Sequence, residues 1–415
     1  MISTAARPYI DASVPVLREH GLAITTRFYA RMFEAHPELK NLFNMGNQAS
    51  GAQQQSLAAA VFAYAANIDN AAALAPVLDR IVHKHAAVGL QPSHYPIVGR
   101  HLLAAIGEVL GEAATPELIS AWDEAYWLLA GELIAAEARL YERTGTQPGR
   151  LQPLRVQRIE AEGRDTVSIY LQTEEGASPG AFQPGQYVSV AMTWTEPGEA
   201  TPRRQLRQYS LSDAPGQPWW RLTVKREAGT PAGQVSNWLH DEVKAGDVLQ
   251  VSAAYGDFTP VLEGDAPLVM LSAGVGITPM VSVLKALARQ NPTRPVVFAH
   301  AARDADHQAL QADLREAAGL MPHLRTVLFH EQGHEHGVAQ GAAQGVAYAG
   351  QPTAYRGRMT LEPVLAEVDL DQAQVLMCGP LPFMRAQWEG LRQRGVPADR
   401  IHREVFGPEL LDHLL

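Results

Sequence analysis

The chain has 415 residues, 46% hydrophobic and 19% charged, which is enough for packed cores in two or three domains and too apolar for a disordered chain. Its 34 basic and 44 acidic residues leave a net charge of −10, which excludes a general binder of nucleic acid or anionic membrane, because either partner requires a basic footprint. One cysteine, Cys378, forbids an intramolecular disulfide and fits a reducing, cytoplasmic compartment.

The first twenty residues lack the basic start and apolar block of a signal peptide, with Arg7 and Asp11 interrupting early. Residues 1–145 hold seven of the 28 prolines and are alanine-rich, which predicts an all-α domain. Helices are expected over 21–35, 49–67, 72–85 and 116–143, with a further one opened by Tyr95. The run Thr144-Gly-Thr-Gln-Pro-Gly149, followed by Arg150, reads as a linker. Residues 151–263 carry short alternating strands such as Thr166–Leu171 and Arg221–Lys225, which predict an antiparallel β-barrel. Residues 264–415 alternate continuous apolar runs (268–272, 295–299, 325–329, 374–377) with helical stretches such as 277–290 and 307–318. That is the pattern of an α/β parallel sheet covered on both faces. Ala266–Leu284 has no charged residue, but Gly274, Gly276, Thr278 and Pro279 at its centre make it a strand–turn–helix and no membrane span.

In the helical part, several polar residues fall on apolar stripes. Tyr29 lies with Leu22, Thr26 and Phe33; Gln53 with Leu57, Ala60 and Tyr64; Tyr95 with Val98, Leu102 and Ala105. Glu137 follows Trp122, Tyr126, Leu129 and Leu133, and His85 follows Leu74, Leu78 and Ile81. A carboxylate on such a stripe is costly unless paired. His83 is expected on the side of Asp79 and Arg80, away from the core, so His83 and His85 do not chelate one metal from a regular helix. Singly, each inward group reads as a hydrogen-bonded core residue; five in one small domain read as a site.

These positions, with Phe28-Tyr29, Pro37-Glu-Leu-Lys-Asn-Leu-Phe43 and Lys84-His85, resemble the globin half of a flavohaemoglobin. The resemblance implies haem b with His85 as the iron ligand. It places Phe43 on the porphyrin, Tyr29 and Gln53 on the distal side, and Leu57 narrowing the pocket. Tyr95 and Glu137 would orient the His85 ring and raise its electron donation.

Further along, Arg207, Gln208, Tyr209 and Ser210 form an R-x-Y-S motif. An arginine pairs with phosphate, a tyrosine stacks on a ring, and a serine bonds a ring nitrogen. Tyr187 lies upstream in Pro-Gly-Gln-Tyr, and Gly233, Gln234, Val235 and Ser236 open a helix whose backbone N–H groups suit a diphosphate. The trio resembles the flavin domain of the ferredoxin reductase-like family, with a longer loop over 228–233. The resemblance puts Ser210 and Tyr209 at the flavin ring, Arg207 at the diphosphate and Tyr187 against FAD. Gly274, Val275, Gly276, Ile277, Thr278 and Pro279 follow an apolar run and open a helix, a phosphate-approaching turn for NAD(P)H. Cys378, Gly379 and Pro380 end a later strand at the ligand edge of the sheet. Glu404, Val405, Phe406, Gly407 and Pro408 resemble the family's closing segment, with Phe406 shielding the flavin; Glu404 and Lys84 are positions that influence redox balance.

His330-Glu-Gln-Gly-His334 matches H-E-x-x-H, with His336 beyond, but that zinc chemistry needs one uninterrupted helix, and here the motif follows a strand with Gly333 and Gly337 inside it. The whole chain therefore resembles a three-module flavohaemoglobin. The resemblance implies a nitric oxide dioxygenase, turning NO and O2 into nitrate with electrons from NAD(P)H through FAD to haem, and a cytoplasmic monomer. A haem-linked peroxide reductase, an O2 store or sensor, and a flavin reductase with a haem-free helical domain remain open at this stage.

Overall fold

The structure, a computed structural model, describes residues 2–195, 198, 202–332 and 352–407. Its first part is helical: α1 (Arg7–Ala35), α2 (Met45–Ala49), α3 (Ala52–Ala66), α4 (Ala71–Val88), α5 (Tyr95–Leu110) and α6 (Pro116–Arg143). Local caps set several boundaries. Asn70 accepts from Ala73 N at the start of α4, and Thr115 accepts from Leu118 N at the start of α6, with Pro116 at its first position. α4 ends at Gly89, whose left-handed backbone (φ 76°) brings it against Gly149; a Cβ at Gly89 would lie 2.5 Å from the Gly149 Cα.

The helical core gathers Ile10, Ile24, Phe28, Met32, Phe62, Ala105 and Trp122. The expected α1 stripe is therefore out of phase. Leu22 is 48% exposed and Thr26 is exposed, whereas Leu17, Gly21, Ile24, Phe28 and Met32 are buried, with Tyr29 at their flank. α1 packs on both α3 and α5, so two partners bury a wide arc that one stripe does not describe.

The second part has strands β1 (Gln152–Ala161), β2 (Thr166–Gln172), β3 (Tyr187–Trp194), β4 (Arg203–Ser210), β5 (Trp220–Lys225) and β6 (Val248–Val251), with α7 (Gln234–Asp241) after β5. All pairings are antiparallel in the order β4-β3-β6-β1-β2-β5. A bridge between Leu211 and Leu222 joins the continuation of β4 to β5 and closes the barrel.

The third part comprises β7 (Leu268–Ala273), α8 (Ile277–Gln290), β8 (Val296–Ala302), α9 (Gln311–Leu320), β9 (Leu324–His330), β10 (Thr353–Arg356), α10 (Glu362–Leu365), β11 (Gln374–Cys378), α11 (Leu381–Gln393) and β12 (Ile401–Glu404). Its sheet is parallel throughout, in the order β10-β9-β8-β7-β11-β12. The order reverses at β7, the place where open α/β sheets receive ligands. Ala266–Leu284 is thus strand, turn and helix, and no helix among the described residues is long and apolar enough to cross a membrane. The helix expected over 307–318 starts at Gln311, because Asp304 accepts from His307 N and closes a separate turn first.

Candidate functional site

Helix α4 carries the centre of the helical part. His85 Nδ1 lies 2.8 Å from Glu137 Oε1 on α6 and 3.3 Å from the Tyr95 hydroxyl on α5, and that hydroxyl donates to the same Glu137 oxygen at 2.6 Å. Glu137 is 2% exposed, so the two donors are what makes its burial tolerable. A carboxylate only accepts, so Nδ1–H is the donor and the pairing leaves Nε2 unused. Nε2 has no partner among the described residues. An imidazole with one nitrogen fixed by a carboxylate and the other unused fits a ligand to haem iron. Burial raises the Tyr95 pKa, and Glu137 raises it further, so the phenol stays a donor.

Elsewhere in the helical core, Tyr29 is buried against Phe28, Phe33 and Phe43, with ring centroids 4.7, 5.8 and 5.6 Å away. Burial pushes its phenol up, and a hydrogen bond with Gln53 pulls the other way. Leu57 and Phe43 pack on the same core.

His83 departs from its expected place. It is 8% exposed, and its Nδ1 accepts from Gly256 N at 2.9 Å. The far side of α4 meets the barrel, not solvent. Arg80 Nε pairs with Asp257 at 3.0 Å, and Ser189 Oγ on β3 donates to Ala87 O at 2.6 Å. Lys84 Nζ reaches across to Gly407 O at 3.0 Å, beside buried Glu404. Amphipathicity within one domain gave no signal for these contacts.

On the barrel, Arg207, Gln208, Tyr209 and Ser210 form the end of β4. Partial burial lowers the Arg207 pKa; its guanidinium donates to Gln205 Oε1 at 3.1 Å and Leu206 O at 2.7 Å and has no carboxylate partner among the described residues, and Ser210 Oγ is buried without a partner. A half-buried cation lacking an anion and an orphaned hydroxyl fit a diphosphate and a flavin ring edge. Gln208 Nε2 donates to Ser189 Oγ at 3.0 Å, tying that motif to the Ala87 contact. Tyr187 is 7% exposed and packs with Tyr141 and Tyr255 at the same junction. Gly233 precedes α7, where Gln234, Val235 and Ser236 form its first turn.

On the parallel sheet, Gly274, Val275 and Gly276 form one turn between β7 and α8, which starts with Ile277, Thr278 and Pro279. Gly274 has φ 54°, and a Cβ at Gly276 would meet Cys378 O at 2.4 Å. Only glycine permits that approach, which sets the turn beside Cys378, Gly379 and Pro380 where the strand order reverses. Cys378 is fully buried and its thiol is pushed up by burial. Phe406 is 45% exposed, with Val405 buried and Gly407 exposed. Pro408 lies outside the described residues, as do His334, His336 and the rest of 333–351; His330 ends β9 and bonds Gln308 at 3.0 Å. The four-residue group at Arg221, described below, had no sequence motif to announce it.

A family pattern described as Globin matches residues 26–133, and one described as Oxidoreductase NAD-binding domain matches residues 270–388. The chain is 48% identical to a flavohaemoprotein of Chromobacterium violaceum, over 98% of each chain. It is 44% identical to one of Rhizobium meliloti, over 99% of each. Among solved structures, a flavohaemoglobin of Malassezia yamatoensis with bound FAD and haem superposes with a TM-score of 0.83 at 27% identity, covering 98% of this chain and 100% of the other. The FAD/NAD-binding domain of a nitric oxide dioxygenase from Vibrio cholerae gives 0.53 at 30% identity, over 62% of this chain and 99% of the other.

Proposed function

Because the chain belongs to the flavohaemoprotein family, we propose that it is an NAD(P)H-dependent nitric oxide dioxygenase, converting NO and O2 to nitrate. It acts as a cytoplasmic monomer. The observation that carries the reading is α4: one helix presents His85 to the helical core and, at the position before it, sends Lys84 to the closing segment of the reductase part.

When bound, NAD(P)H supplies hydride, FAD divides its two electrons into single ones, and haem b supplies the redox iron at which NO and O2 react. His85 offers Nε2 as the iron ligand, and Glu137 and Tyr95 hold the opposite nitrogen protonated and the ring oriented. Tyr29 donates a hydrogen bond into the distal space, positioned by Gln53, while Leu57 and Phe43 keep that space apolar. On the barrel, Arg207 neutralises the diphosphate, and Ser210 and Tyr209 hold the flavin ring. The turn over 274–279 brings backbone N–H groups to the dinucleotide, with Cys378 and Gly379 at its side. Lys84 and Glu404 sit where the two redox parts meet and bias the electron's passage.

NO consumption in the presence of O2 and NADH or NADPH, measured beside peroxide turnover on one preparation, tests the reading. NADH-driven NO loss with nitrate formed is expected; peroxide turnover without NO consumption would replace it with a peroxide reductase.

A further inference from the structure

A closed group of charges lies between the barrel and the parallel sheet. Arg221 on β5 forms a bidentate pair with Asp313 on α9, both contacts at 3.0 Å. Lys285 on α8 reaches Asp313 at 2.8 Å and Asp213 at 3.0 Å. Arg221, Asp213 and Asp313 are 3%, 4% and 5% exposed. Two cations and two anions make the group neutral, with Glu316 touching Lys285 at its outer edge at 3.3 Å. Burial alone would raise the Asp213 pKa, yet Arg221 and Lys285 outweigh it and the carboxyl stays below its usual range.

The connections of the group matter more than its charge. Asp213 lies three residues beyond Ser210, on the chain continuing from the R-x-Y-S strand. Its backbone carbonyl accepts from Ser282 Oγ of α8 at 2.8 Å, and Arg221 Nε donates to Ser212 Oγ at 3.1 Å. Helix α8 is the one that begins at the Gly274–Gly276 turn. The cluster therefore joins the continuation of the flavin motif to the helix of the nicotinamide motif. Apolar side chains of equal volume would fill this place at similar or better stability, and the best-attested use of buried charges kept in such places is to fix one register.

Resting on the functional reading above, we propose that Arg221, Asp313, Lys285 and Asp213 are positioning residues that register the flavin strand against the nicotinamide turn for hydride transfer. In that step the C4–H bond of the nicotinamide breaks and a bond to flavin N5 forms. One hydride carries two electrons across, oxidising NAD(P)H to NAD(P)+ and reducing the flavin. The reacting atoms must stand about 3–3.5 Å apart, and a misplacement of about 1 Å costs on the order of a hundredfold in rate.

The test uses the full-length holoprotein and stopped-flow bleaching of the flavin by NADH. Asp313→Asn is expected to lower the limiting rate about 10- to 100-fold, to weaken the long-wavelength charge-transfer absorbance of the nicotinamide–flavin pair, and to leave haem and FAD content and the apparent NADH affinity within about threefold. A second variant, R221M with D313L, replaces the pair by apolar side chains; it is expected to fold and retain FAD yet remain slow. Should Asp313→Asn fail to fold, this double variant decides alone. A limiting rate within about twofold of wild type in a folded variant would overturn the proposal, as would a defect confined to NADH affinity. A wild-type flavin that neither NADH nor NADPH reduces would instead overturn the functional reading, and this inference with it.

Discussion

Replacing Glu137 by glutamine tests the proposal that Glu137 and Tyr95 set the electron donation of His85 to a haem iron. Glu137 is 2% exposed, and one of its oxygens receives both His85 Nδ1–H at 2.8 Å and the Tyr95 hydroxyl at 2.6 Å. A hydrogen bond to a charged partner is worth about 1.5–3 kcal/mol net. The carboxylate pulls on the Nδ1 proton and makes Nε2 a stronger donor, which favours ferric over ferrous iron. The Glu137→Gln amide keeps the shape and removes the charge, so that preference falls. For a one-electron couple about 1.4 kcal/mol corresponds to about 59 mV, so the haem midpoint potential is expected to rise by about 60–130 mV. Spectroelectrochemical titration of the holoprotein reads it directly, with haem content and the flavin potential as internal controls. A potential unchanged within about 20 mV would refute the argument and leave Glu137 as a packing residue.

Tyr29→Phe keeps the ring among Phe28, Phe33 and Phe43 and deletes only the donor, so O2 dissociation should rise about ten- to a hundredfold while carbon monoxide responds much less; equal effects in flash photolysis would mean the residue acts by bulk. His85→Ala should abolish haem retention and leave NADH-driven dye reduction intact. His83→Ala should retain haem but leave Gly256 N–H without its acceptor, at a cost of about 1–3 kcal/mol seen as faster proteolysis of the 146–150 linker. His300 is held neutral, its pKa lowered by burial and by His330 from 6.5 to about 3. Between those two values the unfolded chain binds the extra proton, so stability is full above pH 6.5 and falls on acidification by up to about 1.4 kcal/mol per pH unit. His300→Gln should flatten that slope in denaturant titrations at pH 4.5–7, and an unchanged slope would assign it elsewhere.

Much of this architecture was legible in the order of residues. The apolar run 268–272 became β7 (Leu268–Ala273), buried on both faces, and the stripe ending at Glu137 became α6 (Pro116–Arg143), buried on one, because continuous and periodic apolar patterns are local signals of those two kinds of burial. The Gly274–Pro279 turn was equally legible, since Gly276 serves a backbone approach that any side chain would block and Gly274 takes a left-handed φ of 54°. The inward His85, Glu137 and Tyr95 were visible one by one as polar interruptions of apolar stripes. That a single carboxylate oxygen joins them was decided by the packing of α4 against α6.

Contacts between modules left no such trace. His83 looked outward from its own helix because its partner, Gly256, is 173 residues away in the barrel. Leu22 shares its helical spacing with Tyr29 and Phe33 yet is exposed, because α1 packs on both α3 and α5 and its buried arc runs through Gly21, Ile24 and Phe28. Arg221 and Asp313 stand 92 positions apart, and Lys84 and Gly407 stand 323 apart. Periodicity describes how one element meets its nearest neighbours, so the sequence by itself determined the elements, their order and the motif turns. Which faces of α4, β5, α8 and α9 meet across the module boundaries depends on burying charge and surface from several modules at once, and only the tertiary structure decided it.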